Sequence, residues 1–416
     1  MKVHVNPEIL VWARQTSGLS VEEAASKLSL STSAKSSAED KLLALESGQA
    51  LPTRNQLSSF ANVYKRPLLT FYLEGPPKIG RRGQDFRQSP DSRSARDNGM
   101  LDALLRNVKA RQEMVRDILK DDVDFKPLDF IGRSQMKDGV AAVVRSISSK
   151  LVFDYTDVRL RKGDATALFT RLRKAAEDVG VFVLVLGDLG SHHSSIAPSV
   201  FRGFAIADDI APFVVLNSKD ARPARAFTLI HELAHVWLGQ TGVSGSMSIA
   251  VPTNDNARIE QFCNDVAGEF LLPDQYFRLG IPQFDKSDAE TARTFVDRIA
   301  SQWSVSEPMV AYRLQRLGEL SARVYETLRQ EYHIRWQAKL KQDAETSNSE
   351  NGPNPNIMKQ FYLGNALVDI IYRNVREKTL TQSKAATLLG SKLGAVEPFL
   401  QHFEAKRTKR IFGAGS

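Results

Sequence analysis

The sequence predicts an α+β chain that is mostly helical, with a small antiparallel sheet at its centre. Apolar residues recur at helical spacing over long stretches, as in Leu101, Leu104, Leu105, Val108, Met114, Val115 and Ile118. Strand character is confined to short runs, Val181–Leu186 and Ala211–Asn217. Between them lies a polar loop, and helical segments follow. With 416 residues, 42% of them hydrophobic, the chain can bury a sizeable core and divides into more than one domain.

The elements follow in order. Residues 1–75 form a helical module. Ser20-Val-Glu-Glu23 is a capping box that opens a helix carrying Ala24, Ala25 and Leu28 inward, and Phe60, Tyr64 and the stretch from Pro67 to Leu73 close the module. Residues 76–136 hold a segment rich in Pro, Gly, Arg and Ser, then one long amphipathic helix. The core spans 137–285: a helix over Ala165–Val179, a buried strand, and a polar loop with His192 and His193, which either assist a site or are merely solvated. A strand over Ala211–Asn217 leads into a turn, where Asp220 is a candidate N-cap, and then a helix with Pro223 in its first turn and Gly239 at its end. A helical extension covers 286–345, with Tyr312 and Arg313 as residues able to reach a cleft. A flexible linker then leads to a basic helical segment over 346–416, with Thr381 as a candidate cap.

The chemistry concentrates in Thr228-Leu-Ile-His-Glu-Leu-Ala-His-Val-Trp237. Residues four apart on a helix lie one above the other. His231 and His235 placed that way can share one Zn²⁺, and Glu232 beside the first can act as general base on a metal-bound water. The pattern alone arises by chance in roughly one chain of this length in a hundred, so a third ligand must be found. Ala257 to Pro273 is a second helix by the spacing of Ile259, Phe262, Val266, Phe270 and Leu271. Near its start stands Glu260, the candidate third ligand, and one turn later Asn264, placed to orient a ligand from behind. Cys263 is the competing donor, but its apolar neighbours rank it lower. A strand at the sheet edge beside such a site could hold an extended peptide by strand addition.

These residues resemble the ImmA/IrrE family of zinc metallopeptidases. The matching pieces are Phe201-Arg-Gly203, the strand ending at Asn217, Phe227 through His235, and Glu260-x-x-x-Asn264 running into Leu271-Leu-Pro273. The resemblance implies a zincin-like peptidase core, with zinc on His231, His235 and Glu260 and with Glu232 as catalytic base. Cys263 and Val266 depart from the family pattern without touching the chemistry. Residues 6–75 resemble the Xre-type helix-turn-helix domain often fused ahead of such peptidases. Against DNA binding stand the long segment between Leu28 and Ala38 and the acids Glu39 and Asp40 beside Lys41.

Two functions follow. The first is a zinc-dependent endopeptidase acting on a specific cytosolic protein; by the resemblance, the substrate is of the transcriptional-repressor kind. The second is an antitoxin-like regulator that binds an operator through residues 1–75 and neutralises a toxin or other acidic partner, with zinc structural. The net charge is +8, and residues 351–416 carry ten Lys/Arg against four Asp/Glu, suiting such a partner or nucleic acid. An oligomer is compatible with either. No apolar run reaches membrane-spanning length, the first residues do not read as a signal peptide, and the single cysteine excludes an internal disulfide; a cytoplasmic location is therefore expected.

Overall fold

The computed structural model describes residues 2–30, 36–77, 84–85, 94–153, 164–190, 194–244, 252–278, 285–346 and 354–412. The chain divides into two units: residues 1–82, 89–109 and 188–196 in one, and residues 83–88, 110–187 and 197–416 in the other. Among the described residues, no helix is long and apolar enough to cross a membrane.

In the first unit, helices Pro7–Thr16, Val21–Lys27, Ala38–Glu46 and Arg54–Val63 enclose Ile9, Leu10, Ala13, Leu42, Leu45, Leu57, Phe60 and Phe71. The capping box at Ser20 and Glu23 is present, and Ser37 with Asp40 forms another at the start of Ala38–Glu46. Buried Glu46 accepts a two-pronged bond from Arg14, Nε at 2.8 Å and Nη2 at 2.9 Å, which locks the first helix onto the third.

The second unit is built on a five-stranded sheet of β1 (Gln84–Asp85), β2 (Phe182–Val185), β3 (Gly203–Ile206), β4 (Phe213–Leu216) and β5 (Gly242–Ser244), in the order β1-β5-β3-β4-β2. The α+β class holds, but the expectation of a purely antiparallel sheet needs correction. β3 runs antiparallel to β4 and β5, whereas β2–β4 and β1–β5 are parallel, so the sheet is mixed. The reason lies in chain length. The 27 residues from 186 to 212 contain β3 and are long enough to return β4 beside β2 in the same direction, which a tight hairpin cannot do. A second correction concerns the strand before the metal helix: β4 lies between β3 and β2, so it is interior and offers no edge.

β2, β3 and β4 are buried at every position, which is why β2 and β4 read as continuous apolar runs; β3 lies outside the strands expected from the sequence. Helices Val140–Leu151, Ala165–Asp178, Ala224–Trp237 and Asp255–Leu271 share one core with the sheet and with the extension Ala289–Trp303, Glu307–Arg316 and Ala322–Thr346. Asp220 does not cap the metal helix. Its Oδ1 accepts from Ala221 N at 2.9 Å inside the turn, and Pro223 holds the cap position with no side-chain bond. Gly239, at φ +68°, takes the left-handed conformation just past the helix end. Thr381 caps helix Gln382–Leu389 as expected.

Trp237 anchors this arrangement. It is fully buried, stacks on Phe130 at 4.4 Å and donates from Nε1 to Ser146 Oγ at 3.1 Å. Trp237→Ala is expected to cost about 3–5 kcal/mol of unfolding free energy, measured as a lowered midpoint with unchanged slope in urea titration.

Candidate metal centre

The helix over Ala224–Trp237 is buried along almost its whole length, since it packs on the sheet on one side and on Asp255–Leu271 on the other. Its two histidines therefore sit inside the protein: His231 is 4% exposed and His235 is 1%. Asn254 caps the second helix by accepting from Ala257 N at 2.8 Å, which fixes where its first turn falls. Glu260 is thereby set on the buried face, 2% exposed.

The three side chains converge. His235 Nε2 lies 3.1 Å from His231 Nε2 and 3.1 Å from Glu260 Oε1, and His231 Nε2 lies 3.4 Å from the same oxygen. Among the described residues they form a buried two-histidine, one-carboxylate group able to hold a metal ion. A tetrahedral ion with bonds of about 2.0–2.1 Å keeps its ligand atoms about 3.3–3.4 Å apart, so the observed spacings fit one. Two imidazole nitrogens and a carboxylate oxygen aimed at a common point also require a cation there, a proton or a metal, to offset their lone pairs. Burial pushes Glu260 upward, but the two imidazoles overcome it and hold the carboxyl down at about 2. Burial also lowers both imidazoles. At His231 the Glu260 carboxylate outweighs it and raises the group, whereas at His235 burial prevails over Glu260, with His231 lowering it further.

Glu232 is completely buried, and neither carboxylate oxygen accepts a hydrogen bond of ordinary geometry. Burial pushes it up to about 8, reinforced by the Glu260 charge and opposed by His231 and Ser244. The Ser244 hydroxyl lies 3.3 Å from His235 Nε2. Arg202, Phe227, Thr228 and Ser244 line the small pocket over the site together with His231, Glu232 and Asn264. Asn264, 4% exposed, lines the same pocket and adds a small contribution to the raised pKa of His231.

Two further residues of the site escape the sequence pattern. Gly203 of β3 faces Glu232: a Cβ there would lie 2.5 Å from Glu232 Oε1 and 2.8 Å from Thr228 Cγ2. Ser244 pairs with Gly203 across β3 and β5, so both face the helix. A lone glycine beginning a buried strand is the signal that marks a close approach to another element. Ser244 carries no such signal, because only the strand register brings it to the histidines.

Other candidates fall elsewhere. Cys263 is fully buried, burial raises its thiol well above its ordinary value, and its sulfur is not part of the clustered donor group. Tyr312 and Arg313 do not reach the cleft. Tyr312 donates to Asp265 Oδ1 at 3.0 Å, and Arg313 pairs with Glu269 and Asp274, so both pin the extension to the back of helix Asp255–Leu271. His192 and His193 lie outside the described residues.

Residues 178–315 match the Peptidase_M78 family model, the IrrE N-terminal-like domain. The match takes in β2, β3, β4, β5, both helices of the site and the start of the extension, and it supports the ImmA/IrrE resemblance and a metallopeptidase-type fold for this region. Residues 1–177 lie outside it. No curated protein and no solved structure matches the chain.

Gly203→Ala is expected to force Glu232 and Thr228 aside and to lower stability by about 1–3 kcal/mol. Urea denaturation of the metal-free protein measures this, and a cost below a few tenths would mean that the strand yields freely.

Proposed function

We propose that the chain is a zinc-dependent endopeptidase. The observation that carries this reading is the spacing of His231 Nε2, His235 Nε2 and Glu260 Oε1, with the Glu232 carboxylate on the same helix and in the same pocket. Two nitrogens and one oxygen form the donor set of a catalytic zinc site, which keeps a position open. Bound there, zinc supplies Lewis acidity that polarises a carbonyl and brings the pKa of a water near neutrality.

The chain's own residues do the rest. Glu232, held by burial in a range where it can both accept and release a proton near neutral pH, takes the proton from the attacking water and passes it to the leaving amine. Gly203 keeps the carboxylate's surroundings free of a side chain, and Asn264 holds the His231 ring in its orientation. Arg202 at the pocket wall adds a positive group where substrate would enter. The substrate is a protein chain that can present an extended segment to the site; a transcriptional repressor is the kind that the family resemblance implies.

The N-terminal module favours a protein contact over an operator. The first turn of Ala38–Glu46 carries Glu39 and Asp40, and Asp40 is held low by Ser37 in the capping box, so this helix presents negative charge where phosphates would have to approach. A toxin or other acidic partner at the basic C-terminal segment is the second reading for the whole chain.

Purified protein is expected to contain about one zinc per chain, by metal analysis. His235→Ala should remove it. Glu232→Gln should keep the metal while peptide cleavage falls by about 10²–10⁴-fold; full cleavage by that variant would refute the mechanism. In a gel shift with the protein's own promoter at physiological salt, no retardation is expected. A specific shifted band would assign residues 1–75 to DNA.

A further inference from the structure

Outside the metal centre, the second unit buries a cation that no acid accompanies. Arg111, on helix Ala95–Lys120, is 8% exposed, and its Nε and Nη1 are enclosed without an acceptor among the described residues. Gly390 ends helix Gln382–Leu389, and a Cβ there would lie 2.6 Å from Arg111 Nη2, so the guanidinium takes the space that the glycine leaves. Ser391 follows, and its Oγ is likewise buried without a partner among the described residues. Lys359 stands on helix Pro355–Leu363. Burial lowers its ammonium, and the nearby Arg111 charge lowers it further. Three of the four acids in residues 351–416 are committed to other arginines. Asp369 pairs with Arg373 and Arg407, and Glu397 and Glu404 pair with Arg376.

A buried guanidinium without a counter-charge is costly to the fold. The carbonyl end of helix Gln382–Leu389 beside it supplies only on the order of half a negative charge, against two full positive ones. Two cations and a hydroxyl with no carboxylate make a donor set for an oxyanion. We infer that Arg111, Lys359 and Ser391 form a binding site for the phosphate group of a small ligand, either inorganic phosphate or a phosphomonoester. Two positive charges match a terminal phosphate, which carries nearly two negative ones at neutral pH, whereas a carboxylate or a phosphodiester carries one. The burial of Arg111 favours a protruding phosphate over a duplex backbone, whose phosphates line a broad surface. Lys359 and Ser391 are only half-buried, so the cluster borders solvent. A phosphate held there bridges residue 111 to residues 359 and 391. It thereby fastens the C-terminal segment to helix Ala95–Lys120 and stabilises the fold by mass action. The site is independent of the peptidase reading.

The test titrates the full-length chain, in a chloride buffer, with inorganic phosphate and separately with a nucleoside 5′-monophosphate, by calorimetry. Saturable binding of at least one is expected. The thermal midpoint should rise with that ligand and stay put when sodium chloride replaces it at equal ionic strength. The probe that binds more tightly identifies the source of the phosphate. Arg111→Met keeps the stem and removes the unpaired charge, so it should abolish binding and leave the ligand-free protein at least as stable. Lys359→Met should weaken binding roughly ten- to a hundredfold. Phosphate also binds metals, so chelator-treated protein is titrated in parallel and should bind as the untreated protein does. Absence of saturable binding, equal binding by Arg111→Met, loss of binding on chelation, or a midpoint that merely follows ionic strength each overturns the proposal. An Arg111-dependent gel shift of duplex DNA, with neither small probe bound, overturns it as well and assigns the cluster to nucleic acid. If Arg111→Met does not fold, Arg111→Lys replaces it. That variant keeps the charge without the planar fork and should weaken binding about tenfold.

Discussion

The candidate centre depends on how closely helix Asp255–Leu271 packs against helix Ala224–Trp237. His231 and His235 are brought together by helix geometry alone, but Glu260 reaches them only because the two helices share a core, with Cys263, Val266, Ala267 and Phe270 from one and Ile230, Leu233, Ala234 and Trp237 from the other. Small residues at Ala234 and Ala267 permit a close approach, and the larger ones fill the space around them. Each fully buried large apolar side chain contributes about 1.5–3 kcal/mol. That is the scale needed to offset burying two imidazoles and two carboxylates, groups whose uncompensated burial costs several kcal/mol each. A cation at the point where three of them meet would remove most of that penalty and would couple folding to metal binding through the same contacts.

Glu232 is the member left out of this compensation. It belongs to the same helix but does not join the triad, and it accepts no good hydrogen bond from the protein. Its environment is set by a strand instead. β3 passes so near that a Cβ at position 203 would press on Glu232 and Thr228, and the register of β3 on β5 fixes Ser244 beside it. The helix pair therefore holds the candidate metal-binding group while the sheet shapes the pocket around Glu232. The base role proposed for Glu232 needs this division, because a carboxylate tied into the ligand network would be held low, as Glu260 is, and would make a poor proton acceptor.

Some features were legible in the sequence because they are local. The spacing of His231 and His235, the helix caps at Ser20 and Thr381, and the terminating Gly239 each rest on a few neighbouring residues and the geometry of a helix. Glu260 was legible with one more step, as the acid on a second apolar-periodic helix. What could not be read was pairing at a distance. The mixed sheet, the interior position of β4 and the partnership of Gly203 with Ser244 are set by which strands meet, and strands of three or four buried residues carry no pattern that distinguishes their neighbours. Tyr312 and Arg313 were misplaced for a related reason. Periodicity gave their helix but not its packing direction, and the acids Asp265, Glu269 and Asp274 decided it by drawing those side chains to the far side of the metal-site helix.

The same long-range pairing gives the site its selectivity problem. The peptidase proposed for this chain would have to avoid cleaving whatever extended segments diffuse past. Depth helps here, because Glu232, His235 and Glu260 are almost wholly shielded from solvent. Depth alone would also exclude a proper substrate, unless that substrate comes along a sheet edge, where backbone hydrogen bonds supply affinity without deep side-chain pockets. In the order β1-β5-β3-β4-β2 the strand nearest the histidines, β5, is paired with β3 on one side and with Gln84–Asp85 on the other.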